Sequence, residues 1–381
     1  MVRLKARLLT WHRWAGLILG LFLLVQAATG TVLVFRDEID GWLHPALTVA
    51  PTGERQPAQT LLDALGQGLP DHEVARVDFP SAPDRAVQVR LKSQGGDAYL
   101  AAIDPYSARI VRHGGLSAWP TEAVFRFHNE FWAGEWGHQL VGVLGLGLVF
   151  LLVTGPIIWW PGRARLRKGL SVTFRRGANR GWRELHRSAG AIGAVLLLVS
   201  ATTGVMMVWK EQLRTAIVAL GGSIVEKPAP KVAARAGEAL LPVDALIAKA
   251  QAGYGATRLQ QLRFPGKGGR VVAVYLDSDT SARPEASKQV WFDRYTGEDL
   301  GHYVAGALPA GNEFIDWLFP VHTGHALHLF GRLLMFVGGT VLAGLALTGA
   351  WMWFSLRAGK STRRRAAAAA AIVRTPAPTT E

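Results

Sequence analysis

Four stretches of the chain, residues 14–35, 139–161, 188–209 and 333–356, carry no ionised side chain. Each is about as long as the ~20 residues a helix needs to cross a bilayer. All four are dense in Leu, Val, Gly and Ala, and small residues let neighbouring helices approach closely in lipid. The pattern predicts four membrane spans. The first is longer than the apolar core of a secretion signal, and no clean small-x-small site follows it before Arg36-Asp37-Glu38, so it reads as an uncleaved anchor.

The two long segments between spans one and two and between spans three and four show a different pattern. The first has a helical stretch at 58–66, strand-like alternation at 75–79, 86–91 and 99–103, and a turn at Asp104-Pro105-Tyr106-Ser107. The second has a helical stretch at 243–252, strands at 258–264, 270–276 and 289–292, and a turn at Asp293-Arg294-Tyr295-Thr296-Gly297. A helix followed by a strand meander is a small α+β module. Linkers rich in Pro, Ala and charge fall at 51–57 and 227–237. The division is therefore 1–36 (N-terminal segment and first span), 37–137 (first outer module), 138–161 (second span) and 162–187 (basic inner loop). It continues with 188–209 (third span), 210–327 (second outer module), 328–356 (fourth span) and 357–381 (inner tail). The tail turns Ala-rich and then Pro/Thr-rich, as a disordered or frayed segment does.

Composition agrees with spans mixed with soluble segments: 49% of the residues are hydrophobic and 18% charged. The net charge of +14 suggests a nucleic-acid partner until it is located. Residues 1–13, 162–187 and 357–381 hold nineteen basic side chains against two acids, Glu184 and Glu381; the rest holds twenty-three against twenty-six. That is the positive-inside signature, which puts both termini in the cytoplasm and both modules in the periplasm of a bacterial inner membrane. It leaves no basic face for nucleic acid. The chain has no cysteine, which excludes iron–sulfur clusters, disulfides and covalent haem.

The chain also repeats itself. His12-Arg13-Trp14-Ala15-Gly16 leads to Thr29-Gly30, and His186-Arg187-Ser188-Ala189-Gly190 leads to Thr203-Gly204 at the same distance. His128 precedes Thr154-Gly155 by the same separation as His322 precedes Thr348-Gly349. Each repeat is a helix out, an outer segment and a helix back, so a two-fold axis along the membrane normal is expected. The His-Arg-x-x-Gly starts, the Thr-Gly pairs, the Val321-His322-Thr323-Gly324 start of span four and the outer modules resemble the PepSY-associated transmembrane family over all but the tail. The expected fold is a membrane protein: a four-helix transmembrane bundle from a parallel internal duplication, with two small α+β PepSY-like periplasmic modules. The four-span layout is similar to the ferrioxamine-reductase branch of that family. The resemblance implies an inner-membrane reductase carrying two non-covalent b-type haems and acting on a periplasmic ferric-siderophore.

A bis-imidazole haem needs two histidines on facing helices and cationic groups near the propionates. The repeat pairs His12 with His186, beside Arg13 and Arg187, for an inner haem; the bland alternative is a pair of interface histidines. On the outer side it pairs His128 with His322, and a helix continuing up from the lipid would place these ~15 Å above the first buried turn. His138 and His328 lie nearer the lipid and are the next choice. His322, His325 and His328 would form a drifting stripe on one helix, with His325 facing substrate or supporting a ligand. A divalent-metal site from His322, His325 and Glu313 or Asp316 is the competing reading. His44, His72, His113 and His302 read as ordinary surface residues. Trp14, Trp159, Trp160, Trp209, Trp351 and Trp353 suit an interfacial belt, while Trp119, Trp132, Trp136, Trp291 and Trp317 pack at the interface or line a pocket. No nucleotide-binding fingerprint or nucleophile triad is present, so electrons would come from quinol or a cytoplasmic reductase. The alternatives are a non-enzymatic sensor or regulatory anchor, and a haem or metal carrier.

Overall fold

The computed structural model describes residues 2–93, 98–175, 177–235, 237–255, 258–265, 268–277 and 288–373. Arg176, Arg374 and the Pro/Thr-rich end of the tail lie outside them. The chain begins with α1 (Val2–Leu33), α2 (Arg36–Leu43) and α3 (Ala58–Gly68). Strands β1 (His72–Asp78), β2 (Val87–Ser93), β3 (Ala98–Ile103) and β4 (Ile110–Gly114) follow. Next come α4 (Pro120–Glu130), α5 (Gly134–Trp159), α6 (Leu166–Leu170), α7 (Ala178–Val208), α8 (Lys210–Ala219) and α9 (Val243–Tyr254). Strands β5 (Arg258–Arg263), β6 (Val271–Asp277), β7 (Lys288–Asp293) and β8 (Asp299–Val304) lead to α10 (Ala310–Thr323) and α11 (His328–Val373). The element order from α1 to α5 is the same as that from α7 to α11.

Two compact units result. Met1–Val32, Ala133–Val208 and Leu333–Glu381 form one, and Leu33–Trp132 with Trp209–Arg332 form the other. The first is a helical bundle. Helical segments Arg3–Leu33, Gly134–Trp159, Ala178–Val208 and His325–Ser355 are each long and apolar enough to cross a membrane. Glycines set the close approaches. Gly147 leaves no room for a Cβ against Leu19, which joins α5 to α1, and a Cβ at Gly145 would stand 2.6 Å from Val205 of α7. Gly193 faces Val341 of α11, and Gly339 of α11 abuts Thr31 of α1, so the four helices close into a ring. Leu152, Leu197 and Ala201 pack with Leu148, Val149 and Leu345 inside it. Ile18, Leu21, Ile192, Val195 and Phe354 are mostly exposed, as lipid-facing side chains should be. The tail was expected to be disordered or a frayed helix end, and α11 runs on through Val373, in keeping with the high helix propensity of the alanine run at 366–371.

The second unit is built on an antiparallel sheet of eight strands in the order β4-β3-β2-β1-β5-β6-β7-β8. The two modules expected from the sequence are therefore halves of one sheet. They join where β1 meets β5, through the pairs Arg76–Arg263, Val77–Leu262 and Asp78–Gln261. Alternation along the strands sends Val77, Val87, Val89, Leu262, Val272, Val274, Val290 and Phe292 to one face, where Leu61 and Leu65 of α3 and Leu246 and Ala250 of α9 complete a shared core. The two helices also cap each other: Asp244 of α9 accepts the backbone N–H groups of Ala58 and Gln59, and Gln59 accepts that of Val243. On the other face two smaller clusters cover the flanks. One holds Leu47, Leu100, Ala102 and Trp119. The other holds Ala273, Tyr275, Trp291 and Tyr303. Strands β4 and β8 escape the sequence pattern because Ile110–Gly114 and Asp299–Val304 lack clean alternation and mix charge, His and Gly.

Candidate functional site

Within α1, the His12 Nδ1 lies 2.8 Å from the Thr154 Oγ1 of α5. At the equivalent place in α7, the His186 Nδ1 lies 2.9 Å from the Thr348 Oγ1 of α11. Each threonine commits its own proton to the helix backbone: Thr154 donates to the Phe150 carbonyl at 2.8 Å and Thr348 to the Gly344 carbonyl at 2.7 Å. A hydroxyl has one proton and two lone pairs. With that proton given to the backbone, the oxygen is left to accept, which suits an imidazole that carries its hydrogen on Nδ1. That tautomer leaves the lone pair on Nε2, which is how a metal-ligating histidine is commonly fixed. The His186 ring also meets the Leu345 carbonyl, whose oxygen is 3.2 Å from the same Thr348 hydroxyl.

Both rings are half-buried and within electrostatic reach of each other inside the bundle unit. Gly155 and Gly349 lie beside them: a Cβ at either would meet the Cε1 of His12 or His186 at 3.5 Å, an ordinary van der Waals contact. Arg187 and Ser188 follow His186. The Arg187 Nε and Ser188 Oγ are buried without a hydrogen-bond partner among the described residues, although the Arg187 Nη2 reaches the Ser171 carbonyl at 3.1 Å. Polar capacity is thus left over beside His186. Arg13, its counterpart, is exposed. The chemistry of this donor set fits a haem: two Nε2 ligands, an apolar surround and guanidinium groups close by in sequence.

The outer histidines are placed differently from expectation. Span two does not continue upstream as one helix: Phe131, Trp132 and Gly134 all have positive φ, and they separate α4 from α5. His128 therefore stands in the last turn of α4 in the sheet unit, while His138 belongs to α5 in the bundle unit. The stripe of His322, His325 and His328 is broken as well. His322 lies in the last turn of α10, Gly324 turns the chain at φ +83°, His325 starts a short 3-10 turn and His328 opens α11 with φ +51°. Gly324 and Gly331 approach so closely that neither has room for a Cβ against the other's backbone, which closes this corner. His328 is exposed. His325 Nδ1 lies 2.9 Å from Thr323 Oγ1, a threonine two residues back that donates to the Phe319 carbonyl. This repeats the inner arrangement within a single turn.

The competing metal site is not assembled. No cluster of three or more His, Asp or Glu side chains able to hold an ion exists among the described residues. Asp316 accepts from the Tyr303 hydroxyl at 2.8 Å and Glu313 from the Gly306 N–H at 2.7 Å, so both carboxylates serve the fold around β8 and α10.

The sheet unit holds a buried ionic cluster that sequence reasoning missed. Glu122 of α4 is 1% exposed and accepts from Arg36 at 2.7 Å and from Arg90 at 2.7 and 2.9 Å. Burial alone would push its carboxyl up; the hydrogen bonds and charge of Arg90 and Arg36 outweigh that and hold it below the usual range. One residue earlier, Thr121 donates to Asp40, which is 3% exposed. Burial raises the Asp40 carboxyl, with Thr121 and Arg36 only partly opposing. The Glu122 cluster ties α2, which follows span one, and α4, which precedes span two, to strand β2.

Of the histidines read as surface residues, His113 is exposed as expected, while His44 and His72 are half-buried. His44 packs edge-on to Trp119 with ring centroids 6.0 Å apart, and Arg112 sits 5.3 Å above the same indole. His72 and His113 lie in strands on either side of Tyr99, whose hydroxyl is 2.7 Å from the His113 Nδ1. Trp119 and Trp291 fill the two separate flank clusters, while Trp132 and Trp136 are exposed, so these tryptophans line no common pocket.

A family model described as "PepSY-associated TM region" matches residues 9–355. No curated protein matches the chain.

Proposed function

The chain belongs to the PepSY-associated transmembrane family, and on that premise we propose that it is an inner-membrane haem-b reductase that passes electrons outward to a periplasmic ferric-siderophore. The observation that supports this reading is the twice-made bridge, His12 to Thr154 and His186 to Thr348, which presents two Nε2 lone pairs within one apolar bundle. His12 and His186 would hold one haem iron. Arg187 and Ser188 would meet its propionates, with Arg13 at the rim. Such a haem would supply one-electron chemistry between its two imidazole ligands. On the outer side His128 and His322, both in the sheet unit, remain the first choice for a second haem. His325 joins them because its Thr323 contact fixes the same tautomer. Reducing Fe(III) to Fe(II) replaces a hard ion with a softer one, so an oxygen-donor siderophore lets go. The basic residues at 1–13, 162–187 and 357–381 favour cytoplasmic termini, which puts the sheet unit in the periplasm and the electron source at quinol or a cytoplasmic reductase. The matching element order and matching His–Thr bridges of the two halves are what a duplication would leave.

A sensor or regulatory anchor is the second reading. It is favoured by the extent of the sheet, whose end strands β4 and β8 suit the addition of a partner strand. An absorption spectrum of the detergent-purified protein, with and without dithionite, separates the two. The reductase reading expects split α and β bands and two haems per chain, one of which is lost in a His12→Ala/His186→Ala variant. A colourless protein made with ample haem would leave the anchor standing.

A further inference from the structure

We propose that Thr154 and Thr348 are positioning residues of the inner site, selecting which imidazole nitrogen faces the iron and setting how electron-rich that nitrogen is. The inference rests on the haem reading above and goes to residues that no family motif assigns a role. Thr202 and Thr340 show what a span threonine ordinarily does: each bonds the carbonyl one turn back at 2.7 and 2.9 Å. Thr154 and Thr348 make that bond too, and in addition each lies within hydrogen-bond distance of an imidazole Nδ1 on a different helix. The backbone bond is what gives the pair its direction. Without it the hydroxyl could donate to Nδ1 and turn the tautomer around; with it, Nδ1–H is the only donor left.

The kind of acceptor also matters. Many metal-bound histidines pass Nδ1–H to a carboxylate, which makes the imidazole more basic and favours the oxidised metal. A carboxylate inside the bundle would be costly to place. A threonine hydroxyl supplies the orientation at little cost, but pulls less on the proton. The inner iron would then be held in fixed geometry by modestly basic imidazoles, which keeps its reduced state accessible.

The test uses the full-length protein purified with haem, comparing Thr154→Val and Thr348→Val with Thr154→Ser and Thr348→Ser. Valine keeps the threonine shape and removes the acceptor. Haem content, midpoint potentials by spectroelectrochemical titration and low-temperature electron paramagnetic resonance are read alongside size-exclusion behaviour. The expected result is a ~10–100-fold loss in haem affinity at one site, an upward shift of one midpoint potential, and recovery of both in the serine variants. A role confined to helix packing would change the thermal melt and leave the potential where it was. Valine variants that fold and show unaltered haem content and midpoint would overturn the proposal while leaving the haem reading intact. Should one valine variant fail to fold, the other decides. A wild-type protein without haem, or one that keeps both haems after His12→Ala/His186→Ala, would overturn the haem reading itself, and this inference with it.

Discussion

Val77 of β1 pairs directly with Leu262 of β5, and both side chains are almost fully buried against the helix-covered face. This contact sits at the centre of the three-residue ladder that turns two four-stranded halves into one sheet. Asp244 and Gln59 tie the overlying helices across the same seam. Each half thereby completes the other's core.

Leu262→Ala should consequently destabilise both halves together. The expected cost is about 2–5 kcal/mol for a buried leucine. Thermal unfolding of the detergent-solubilised protein, followed by near-ultraviolet circular dichroism, should show one lowered transition. Two transitions, with the first half unaffected, would show that the halves fold independently.

The two buried carboxylates of the sheet unit should answer pH in opposite senses. The Glu122 carboxyl is held low in the folded state, so its stabilisation is present above the unfolded value of 4.5 and is lost as pH falls through the lower folded value. The Asp40 carboxyl is raised, so its contribution is complete below 3.8 and is lost as pH rises through the higher folded value. Glu122→Gln should cost about 3 kcal/mol near neutrality, the low end for breaking a buried pair, because Arg36 and Arg90 keep some access to water. Asp40→Asn should raise stability at neutral pH and lose that advantage in acid. Melting curves between pH 3 and 8, each at a fixed ionic strength, check both signs.

Trp119 offers a case where burial and hydrogen bonding disagree. It is 3% exposed, yet its Nε1 has no hydrogen-bond partner among the described residues. An unpaired buried donor is a cost that removal relieves. Trp119→Phe should therefore lie within about 1 kcal/mol of wild type, against about 3–5 kcal/mol for Trp119→Ala. A phenylalanine variant as damaged as the alanine variant would mean that the indole N–H is satisfied after all.

The corner between α10 and α11 should be intolerant of even one methyl group. A Cβ at Gly331 would run into the Gly324 carbonyl, which is backbone and cannot turn aside. Gly331→Ala is expected to cost roughly 1–3 kcal/mol, as overpacking does, and to increase protease cleavage near residues 324–331. Gly344→Ala, on the same helix with nothing within 4 Å of its Cβ, is the control that should change neither.

What the amino-acid order determined by itself is everything that rests on local pattern. Uninterrupted apolar stretches specify the four spans, because a charge at bilayer depth is costly wherever it falls. Alternation specifies six of the eight strands, and equal spacing marks His12, His186, Thr154, Thr348 and the glycines beside those threonines as matching positions. The meeting of those positions was not legible, since each histidine is more than 140 residues from the threonine it touches and no periodicity spans that distance. The helix breaks at 131–134 and 324–328 were hidden as well, because Phe131, Trp132 and His328 adopt a left-handed conformation that their side chains do not announce. The buried Glu122 and the seam at Val77 and Leu262 belong to the same class. A charge reads as surface until its arginines are brought in from elsewhere in the chain, and an edge strand reads as an edge until another strand pairs with it. Tertiary structure decided these, because hydrogen bonds and ion pairs act over distances in space that the order of residues does not encode.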